Sequence, residues 1–262
     1  MTINQDERNY FAEAILNPNM TFDSLAVGPC NESVIQSCKL LVKQYPSSML
    51  SPLLLVGEGG LGKTHLASAI GNALSQANPG LRVLFTTAAD FCSEYIQFAQ
   101  NDQAKDLFIR FFKENVDALI IDDLDYLLDK PSSAKMISFF INDFVRSDKP
   151  VIATCNPIIW EIDEVTRVFS GDPWKFFPLR LKGPDPSTAK EFIRIAMESG
   201  KGAHVQIDEK VIDRIIAAFS DNFRTLSMAI NRILFYAVFV VETQYVDMDM
   251  AKRALDGLWP SD

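Results

Sequence analysis

The sequence predicts an α/β fold in which helices flank a parallel β-sheet, followed by a small all-helical domain. Two observations support this prediction. Short apolar runs, typical of strands buried on both faces, alternate with helical patterns over the first two thirds of the chain. Beyond a turn-rich stretch at residues 182–187 the pattern is helical only. With 262 residues, 48% of them hydrophobic, the chain can bury such a core and carry a satellite domain.

The sheet and its helices are predicted from apolar patterning. Four apolar runs predict buried strands, at residues 53–56, 83–86, 118–121 and 151–154. Apolar residues at helical spacing predict helices between the strands, over residues 66–74, 107–112 and 136–144. Because strands that alternate with helices form βαβ units, we expect parallel strands with helices on both faces of the sheet.

Two amphipathic patterns predict the helices of the C-terminal domain. The first follows the cap candidate Asp208 and has its apolar face between Val211 and Phe219. The second has its apolar face between Leu226 and Ala237. The end of the chain is therefore predicted to be a small helical lid domain.

Composition and charge exclude several classes of function. A formal net charge of −9 at pH 7 opposes nonspecific attraction to nucleic acid, so a surface for duplex DNA is not expected. The four cysteines are far apart and the two histidines do not cluster with them, so neither a disulfide framework nor a zinc site is predicted. The apolar run at residues 233–241 is far shorter than the ~18 residues of a membrane span, and the start lacks a signal-peptide pattern. A cytoplasmic protein is expected.

A glycine-rich loop lies between the first predicted strand and the first predicted helix of the sheet. Its residues fit the pattern G-x-x-x-x-G-K-[ST], in which backbone N–H groups surround a phosphate at a helix start. We expect Lys63 to reach the β- and γ-phosphates of a nucleotide and Thr64 to hold Mg²⁺. The residues predicted to surround the nucleotide are Gly57, Gly59, Gly60, Leu61, Gly62, Lys63, Thr64 and His65. His65 is expected to be a surface or packing residue of the helix and not a catalyst.

Two adjacent carboxylates, Asp122 and Asp123, follow the predicted strand at residues 118–121. Carboxylates at a strand end are what a phosphate loop needs to place the metal ion and the attacking water. We expect Asp122 to act on Mg²⁺, directly or through water, and Asp123 to polarise the water. The alternative is a pair of solvated turn residues.

Beyond these two motifs, the sequence resembles the ATPase core of the bacterial replication initiator DnaA, within the AAA+ class. The resemblance rests on Asn17-Pro18, Thr21-Phe22-Asp23, Val27-Gly28 and the stretches 60–66 and 116–123, and it covers about residues 17–258. It implies an AAA+ P-loop domain with a parallel five-stranded sheet flanked by helices at residues 17–183. An N-terminal arm or helix would occupy residues 1–16, and the helical lid residues 184–262.

The resemblance also implies roles for residues outside the two motifs. Three residues, Phe22, Leu25 and Val27, would lie near the adenine. Asn156 would stand at sensor 1, where the family usually has Asp, or else be an ordinary turn residue. Arg224 would stand at sensor 2 and contact the γ-phosphate, or else be a surface arginine. The catalytic residues implied are thus Asp123, Asn156 and Arg224, with ATP or ADP and Mg²⁺ as cofactors.

Departures from the family pattern change the expected behaviour. The family has two arginines just after sensor 1, and the second completes the nucleotide site of a neighbouring subunit. Arg167 fits the first of them. The second position falls within residues 169–173, which contain no arginine. Lys175 or Arg180 could substitute for the second arginine, but the simpler interpretation is that each is a surface charge. Aspartate in place of the glutamate usual in AAA+ proteins at position 123 implies slow turnover. Phe98 and Lys130 lie at positions where the family binds single-stranded DNA. Phe98 could equally well be a core residue.

Several functions remain open. One is an ATP-binding protein that uses slow hydrolysis to control assembly with protein partners or DNA, with a helicase or transposase loader as a close variant. Another is a regulatory adaptor resembling Hda, which the absence here of the family's flanking domains would favour. A third is a related module in a non-replicative system. Single-stranded DNA is a candidate partner, a membrane span is not expected, and the aromatic segment 174–177 is either sheet-edge packing or a partner contact.

Overall fold

The structure is a computed structural model that describes residues 16–46, 49–98, 101–156, 176–198 and 204–259. The predicted arm up to residue 15 lies outside these ranges. So do Arg167, Trp174 and Lys175, and the segment 169–173 where the family has its second arginine.

The predicted parallel sheet is confirmed, and it has five strands in the order β2-β3-β4-β1-β5. The strands are β1 Leu53–Val56, β2 Val83–Thr87, β3 Ala118–Asp122, β4 Val151–Cys155 and β5 Phe177–Arg180. The helices around it are α1 Glu32–Lys43, α2 Lys63–Ala77, α3 Ala88–Phe98, α4 Asp102–Asn115 and α5 Pro131–Arg146. All four predicted strands and all three predicted helices are present, whereas α1 and α3 had not been predicted.

A cluster of phenylalanine rings fills the core beside the sheet. Phe91, Phe108, Phe112 and Phe140 are each no more than 2% exposed, and they come from α3, α4 and α5. Their ring centroids lie 4.8–6.1 Å apart in tilted and edge-to-face pairs, the arrangements that aromatic rings favour. Phe98 packs against this cluster and is partly buried. Of its two sequence interpretations, the structure therefore supports core packing over base stacking.

Strand β5 forms one edge of the sheet and contains a proline. The Phe177 N–H donates to the Pro52 carbonyl at 2.7 Å, and Leu54 is the register partner of Pro178. Because alternate residues of a parallel strand bond to the same neighbour, Pro178 lies at a position that faces outward, where its missing N–H costs no ladder bond. Of the aromatic segment, Phe176 packs on the core while Phe177 is 42% exposed.

Contacts divide the chain into two units. The first holds the sheet and its helices, and the second comprises Ser24–Ser33, Gly59–Gly62 and Leu181–Asp262. The sequence placed a domain boundary at residues 183/184, which stays a prediction. The inclusion of Ser24–Ser33 and Gly59–Gly62 in the second unit had not been predicted.

The second unit is mainly helical and has its own apolar core. Its helices are α6 Pro186–Glu198, α7 Glu209–Phe219, α8 Phe223–Phe235, a π-helical turn at Tyr236–Val241, and α9 Met248–Ala254. A two-stranded parallel sheet pairs β6 Gln206–Ile207 with β7 Tyr245–Val246. The Asp208 carboxylate accepts the Lys210 N–H at 2.9 Å at the start of α7, so the predicted cap is confirmed.

One helical segment, Phe223–Val241, is long and apolar enough to cross a membrane by length and composition alone, with 19 residues and a mean hydropathy of 1.4. The sequence estimate missed this because it counted only the uninterrupted run at residues 233–241. Leu226, Ile230 and Ile233 of this segment are fully buried in the core of the second unit. Core helices of soluble proteins pass the same test, so this helix is weak evidence for a span.

Candidate functional site

Lys63 is the first residue of α2 and is only 8% exposed. Its Nζ donates to the carbonyl oxygens of Gly57 at 2.6 Å and Glu58 at 2.9 Å. Burial lowers the pKa of the Lys63 ammonium, against the opposing effect of nearby aspartates, of which Asp123 is the strongest. A buried ammonium whose hydrogen-bond partners are the carbonyls of the loop is well placed to exchange them for phosphate oxygens.

The glycine loop ahead of Lys63 uses conformations that favour glycine. Gly60 has φ +82° and Gly62 has φ +88°. At Gly62 a Cβ would meet nothing within 4 Å, so the requirement there is conformational. At Gly60 a Cβ would lie 2.5 Å from Asn222 Oδ1, so close approach excludes a side chain as well. Leu61 between them is buried, with 7% exposure.

The two residues predicted to hold the metal ion are in direct contact. Asp122, at the end of β3, is 5% exposed, and its Oδ2 accepts the Thr64 hydroxyl at 2.8 Å. Its Oδ1 accepts the hydroxyl of Thr154, a fully buried residue of β4, at 2.5 Å. Carboxylate and hydroxyl oxygens are ligands that Mg²⁺ accepts, so Thr64 and Asp122 fit a magnesium ion bound to a nucleotide. Sequence reasoning missed Thr154, whose hydroxyl orients the Asp122 carboxylate.

Asp123 adopts the left-handed conformation, with φ 54° and ψ 52°. Its N–H donates to Thr154 Oγ1 at 3.0 Å, and a 3₁₀ turn at Leu124–Leu127 follows. Left-handed non-glycine residues are uncommon and concentrate at functional sites. The turn exposes the Asp123 side chain beside the buried Asp122. This arrangement suits the distinct roles predicted for the two carboxylates.

Asn156 directly follows β4, and its N–H donates to Asp125 Oδ1 at 3.0 Å. The structure thus brings Asn156 to the strand ends that carry Asp122 and Asp123. Asp125 had not been predicted as a site residue. The sequence feature that could have predicted it is the run Asp122-Asp123-Leu124-Asp125, in which Asp125 is the third acidic residue.

Arg224 lies in the first turn of α8, within the second unit. Asn222 caps this helix by accepting the N–H groups of Arg224 and Thr225, both at 3.0 Å. The N–H of the preceding residue, Phe223, donates to the Gly60 carbonyl at 3.0 Å. A Cβ on Gly59 would lie 3.7 Å from Arg224 Nη1. The exposed Arg224 side chain therefore lies beside Gly59, and its predicted sensor 2 role stays a prediction.

The segment Ser24–Ser33, which carries Val27, is attached to the start of α6. Val27 itself is 41% exposed. Asp185 accepts the Cys30 N–H at 3.1 Å and the Thr188 hydroxyl at 2.6 Å with one carboxylate oxygen. A Cβ on Gly28 would lie 2.0 Å from Thr188 Oγ1, so the segment that carries Gly28 closely approaches the start of α6. Sequence reasoning missed Asp185.

Asp185 also caps α6 and is expected to contribute to stability. Its other oxygen accepts the N–H groups of Ser187 at 3.0 Å and Thr188 at 3.1 Å. We expect Asp185→Ala to lower the free energy of unfolding by about 1–2 kcal/mol, the usual cost of losing an N-cap. Urea unfolding measures this, with the exposed Asp213→Ala as the matched control. A loss no larger than that of the control would contradict the expectation.

The same variant is expected to change the pH dependence of stability. Hydrogen bonds from Ser187 and Thr188 hold the pKa of Asp185 well below its usual range. A carboxyl group with a lowered pKa in the folded state contributes stability above its unfolded pKa of about 4 and loses it as the pH falls further. The wild-type protein should therefore lose more stability than Asp185→Ala when acidified below about pH 4. Parallel acid unfolding curves would contradict this expectation.

Phe22 and His65 belong to the first unit, whereas Val27 belongs to the second. His65 Nε2 lies 3.2 Å from the Thr21 carbonyl, and burial lowers the pKa of this imidazole. Phe22 is half-buried and lines a cavity of about 290 Å³ with Lys39, whose Nζ lies 5.6 Å from the ring centroid. The predicted placement of Phe22 and Val27 near an adenine stays a prediction.

The remaining basic candidates lie on the surface of the first unit. Lys130 Nζ is bound to Asp129 Oδ1 at 2.8 Å and lies 4.0 Å from the ring centroid of Tyr126. Its charge is thus partly neutralised within its own turn. Arg180 is exposed at the end of β5, in register with Val56.

Comparisons with known proteins identify the family of this chain. Residues 16–170 match the family described as the bacterial DnaA ATPase domain. The chromosomal replication initiator protein DnaA of Chlorobaculum tepidum is 30% identical over 244 residues, which are 93% of this chain and 48% of that protein. The chain spans about half the length of the curated relatives it matches.

Solved structures of DnaA proteins share the fold. Domain III of the Thermotoga maritima replication initiation protein DnaA has 26% identity and a TM-score of 0.78, covering 94% of this chain and 100% of that chain. A replication initiator DnaA bound to AMPPCP and single-stranded DNA has 23% identity and a TM-score of 0.70, covering 84% of this chain and 66% of that chain. The second likeness shows the fold alone.

Proposed function

The chain belongs to the bacterial DnaA ATPase domain family, and on that premise we propose that it binds ATP and ADP with Mg²⁺ and uses slow hydrolysis to control assembly with protein partners or DNA. The observation that carries this proposal is the contact between Thr64 and Asp122 at 2.8 Å beside the buried Lys63 ammonium. A phosphate loop, a hydroxyl and a carboxylate at one sheet edge form the minimal set for holding a metal–triphosphate.

The residues have distinct roles in this proposal. Lys63 would donate to the β- and γ-phosphates in place of the two loop carbonyls, while Thr64 and Asp122 hold the magnesium ion. The ion would neutralise charge on the phosphate oxygens. Asp123 would orient the attacking water and accept its proton, and Asn156 would orient the water or the γ-phosphate through its amide. Arg224, beside the loop tip, would donate to phosphate oxygens as a planar fork.

Turnover is proposed to be slow for two reasons. The Asp123 carboxylate is one methylene shorter than the glutamate usual in AAA+ proteins, so it reaches less far toward the water. The Asn156 amide cannot accept a proton as an aspartate can. The ATP-bound state would then persist, and it would be the state that partners recognise.

Protein partners are favoured over DNA by the charges of the chain. The net charge of −9 opposes binding to a polyanion, Phe98 packs against the core, and Lys130 is paired with Asp129. Support for single-stranded DNA comes from a related initiator that has been solved with it. The regulatory adaptor is the second candidate function, and the same charges favour it.

Calorimetry and light scattering test the proposal. We expect ATP and ADP to bind with Mg²⁺ present and GTP to bind more weakly, and we expect hydrolysis to be slow. Assembly with ATP or a nonhydrolysable analogue, but not with ADP, would support nucleotide-controlled assembly, and its stimulation by single-stranded DNA would make DNA a partner. A fixed oligomeric state in every nucleotide would support the adaptor. Absence of nucleotide binding at millimolar concentration with Mg²⁺ would contradict the proposal as a whole.

A further inference from the structure

The ends of β3 and β4 are joined by side chains where their backbone ladder stops. The register of the two strands runs from Leu119 to Ile121 on β3 and ends at the pair Ile121 and Ala153. Beyond Ala153, Thr154 is bound to Asp122 and Asp123 through its hydroxyl. Toward β3, the end of β4 therefore bonds to side-chain groups, among them carboxylate acceptors, while its other edge remains paired with β1.

Asp125 supplies one of these acceptors. Its Oδ1 accepts the Asn156 N–H at 3.0 Å, although the two residues are 31 positions apart. Asp125 lies within the 3₁₀ turn Leu124–Leu127, whose backbone geometry is fixed, and its side chain is half-buried. The acceptor is thus held in place by the turn that follows Asp123.

The surrounding charges show where this carboxylate lies. It opposes the effect of burial on the pKa of Lys63, and after burial it is the strongest influence raising the pKa of the Cys155 thiol to about 12. Lys63 and Cys155 flank the phosphate loop and the end of β4. Asp125 therefore lies close enough to both groups for its charge to influence them.

A second contact extends this connection to the phosphate loop. The Gly57 N–H donates to the Cys155 carbonyl at 3.2 Å, and Cys155 directly precedes Asn156. Restraining the Asn156 N–H from one side and the Cys155 carbonyl from the other fixes the peptide unit between them. Since a peptide unit is planar, fixing both of its ends fixes the position of the Asn156 Cα, from which the side chain leaves the backbone.

We propose that Asp125 is a positioning residue, which holds the Asn156 backbone so that the amide side chain faces the reacting phosphate during hydrolysis. The inference rests on the proposed function. Asp125 acts as a hydrogen-bond acceptor at a fixed place, and its charge is secondary. Nucleotide binding is proposed to depend on Lys63, Thr64 and Asp122, none of which is hydrogen-bonded to Asp125, so the main effect is expected on turnover.

Two substitutions separate acceptor from charge. Asp125→Asn keeps an acceptor at the same place and removes the charge, whereas Asp125→Glu keeps the charge and displaces the acceptor by one methylene. Asp125→Ala removes both, and Asp106→Ala, on the exposed face of α4, is the matched control. The measurements are the Kd of ATP by calorimetry, the single-turnover hydrolysis rate, and hydrogen exchange of the Asn156 amide by NMR.

We expect the Kd of ATP to stay within about threefold of the wild-type value in every variant. Hydrolysis should fall about tenfold in Asp125→Ala and Asp125→Glu, with faster exchange of the Asn156 amide, because the acceptor of its N–H is removed or displaced. Asp125→Asn should keep most of the rate and of the amide protection. The control should match the wild-type protein in all three measurements.

Two results would overturn the inference. One is a wild-type rate with wild-type amide protection in both Asp125→Ala and Asp125→Glu. The other is an Asp125→Asn protein as slow as Asp125→Ala, since this would assign the effect to charge. If Asp125→Ala does not fold, the Asn and Glu variants carry the test alone. Failure of the wild-type protein to bind nucleotide would refute the proposed function, whereas amide exchange in the nucleotide-free protein would still test the Asp125 contact.

Discussion

Replacing Lys63 by alanine is expected to raise the Kd of ATP by about 100-fold or more, because at least two charge-assisted hydrogen bonds to phosphate are lost. Each such bond contributes about 1.5–3 kcal/mol, and about 1.4 kcal/mol corresponds to a factor of ten in Kd. In the nucleotide-free protein the ammonium is buried against the Gly57 and Glu58 carbonyls. Stability without nucleotide should therefore change little, since removing Lys63 also removes the cost of burying its charge.

Calorimetry with Mg²⁺ present measures this effect, and Lys105→Ala is its control. Lys105 is an exposed lysine of α4, so its loss removes the same charge from the chain at a position away from the loop. Equal affinities of Lys63→Ala and the wild-type protein for ATP would exclude the phosphate-site assignment.

The second large effect is expected at Asp122. Asp122→Asn should reduce ATP hydrolysis at least about 100-fold and abolish the gain in nucleotide affinity that Mg²⁺ gives, because an amide is a poor magnesium ligand. The amide oxygen can still accept the Thr154 hydroxyl, but the amide nitrogen cannot accept that of Thr64. The amide nitrogen can instead donate to Thr64 Oγ1, so the direction of this hydrogen bond is reversed.

The same substitution is expected to leave the melting temperature of the nucleotide-free protein unchanged or higher. The Asp122 side chain is 5% exposed, and its charge is compensated by two hydroxyl donors. Burying a neutral amide costs less free energy than burying a carboxylate, so the substitution removes part of this desolvation cost. Magnesium titrations of ATP affinity and thermal melts together check both effects, with Asp106→Asn as the control. A hydrolysis rate within threefold of wild type would contradict the metal assignment.

Local patterns predicted most of the sheet and the phosphate loop. The four strands were predictable because each is a continuous apolar run, as strands buried on both faces are. Gly57 to Thr64 were predictable because a phosphate loop is a contiguous motif whose chemistry needs those residue types in that order. Strand β5 was not located because its sequence, Phe177–Arg180, combines a proline with a charged residue.

The residues that were missed act over long separations in the chain. Thr154 reaches Asp122 across 32 positions, Asn156 meets Asp125 across 31, and Asp185 meets Cys30 across 155. Such contacts leave no periodicity in a single sequence. The grouping of Ser24–Ser33 with the second unit depends on contacts of this kind. Helix α3 was missed for another reason, since it follows β2 directly with no turn signal between Thr87 and Ala88.

The proline in β5 has a consequence for how copies of the chain can associate. At this edge the outward position of Pro178 offers a carbonyl but no N–H, so an incoming strand would find an interrupted row of donors. Continuous sheets running from one molecule into the next are disfavoured there. Any association of copies at that side must instead use side-chain surfaces, where salt screens contacts between exposed charges.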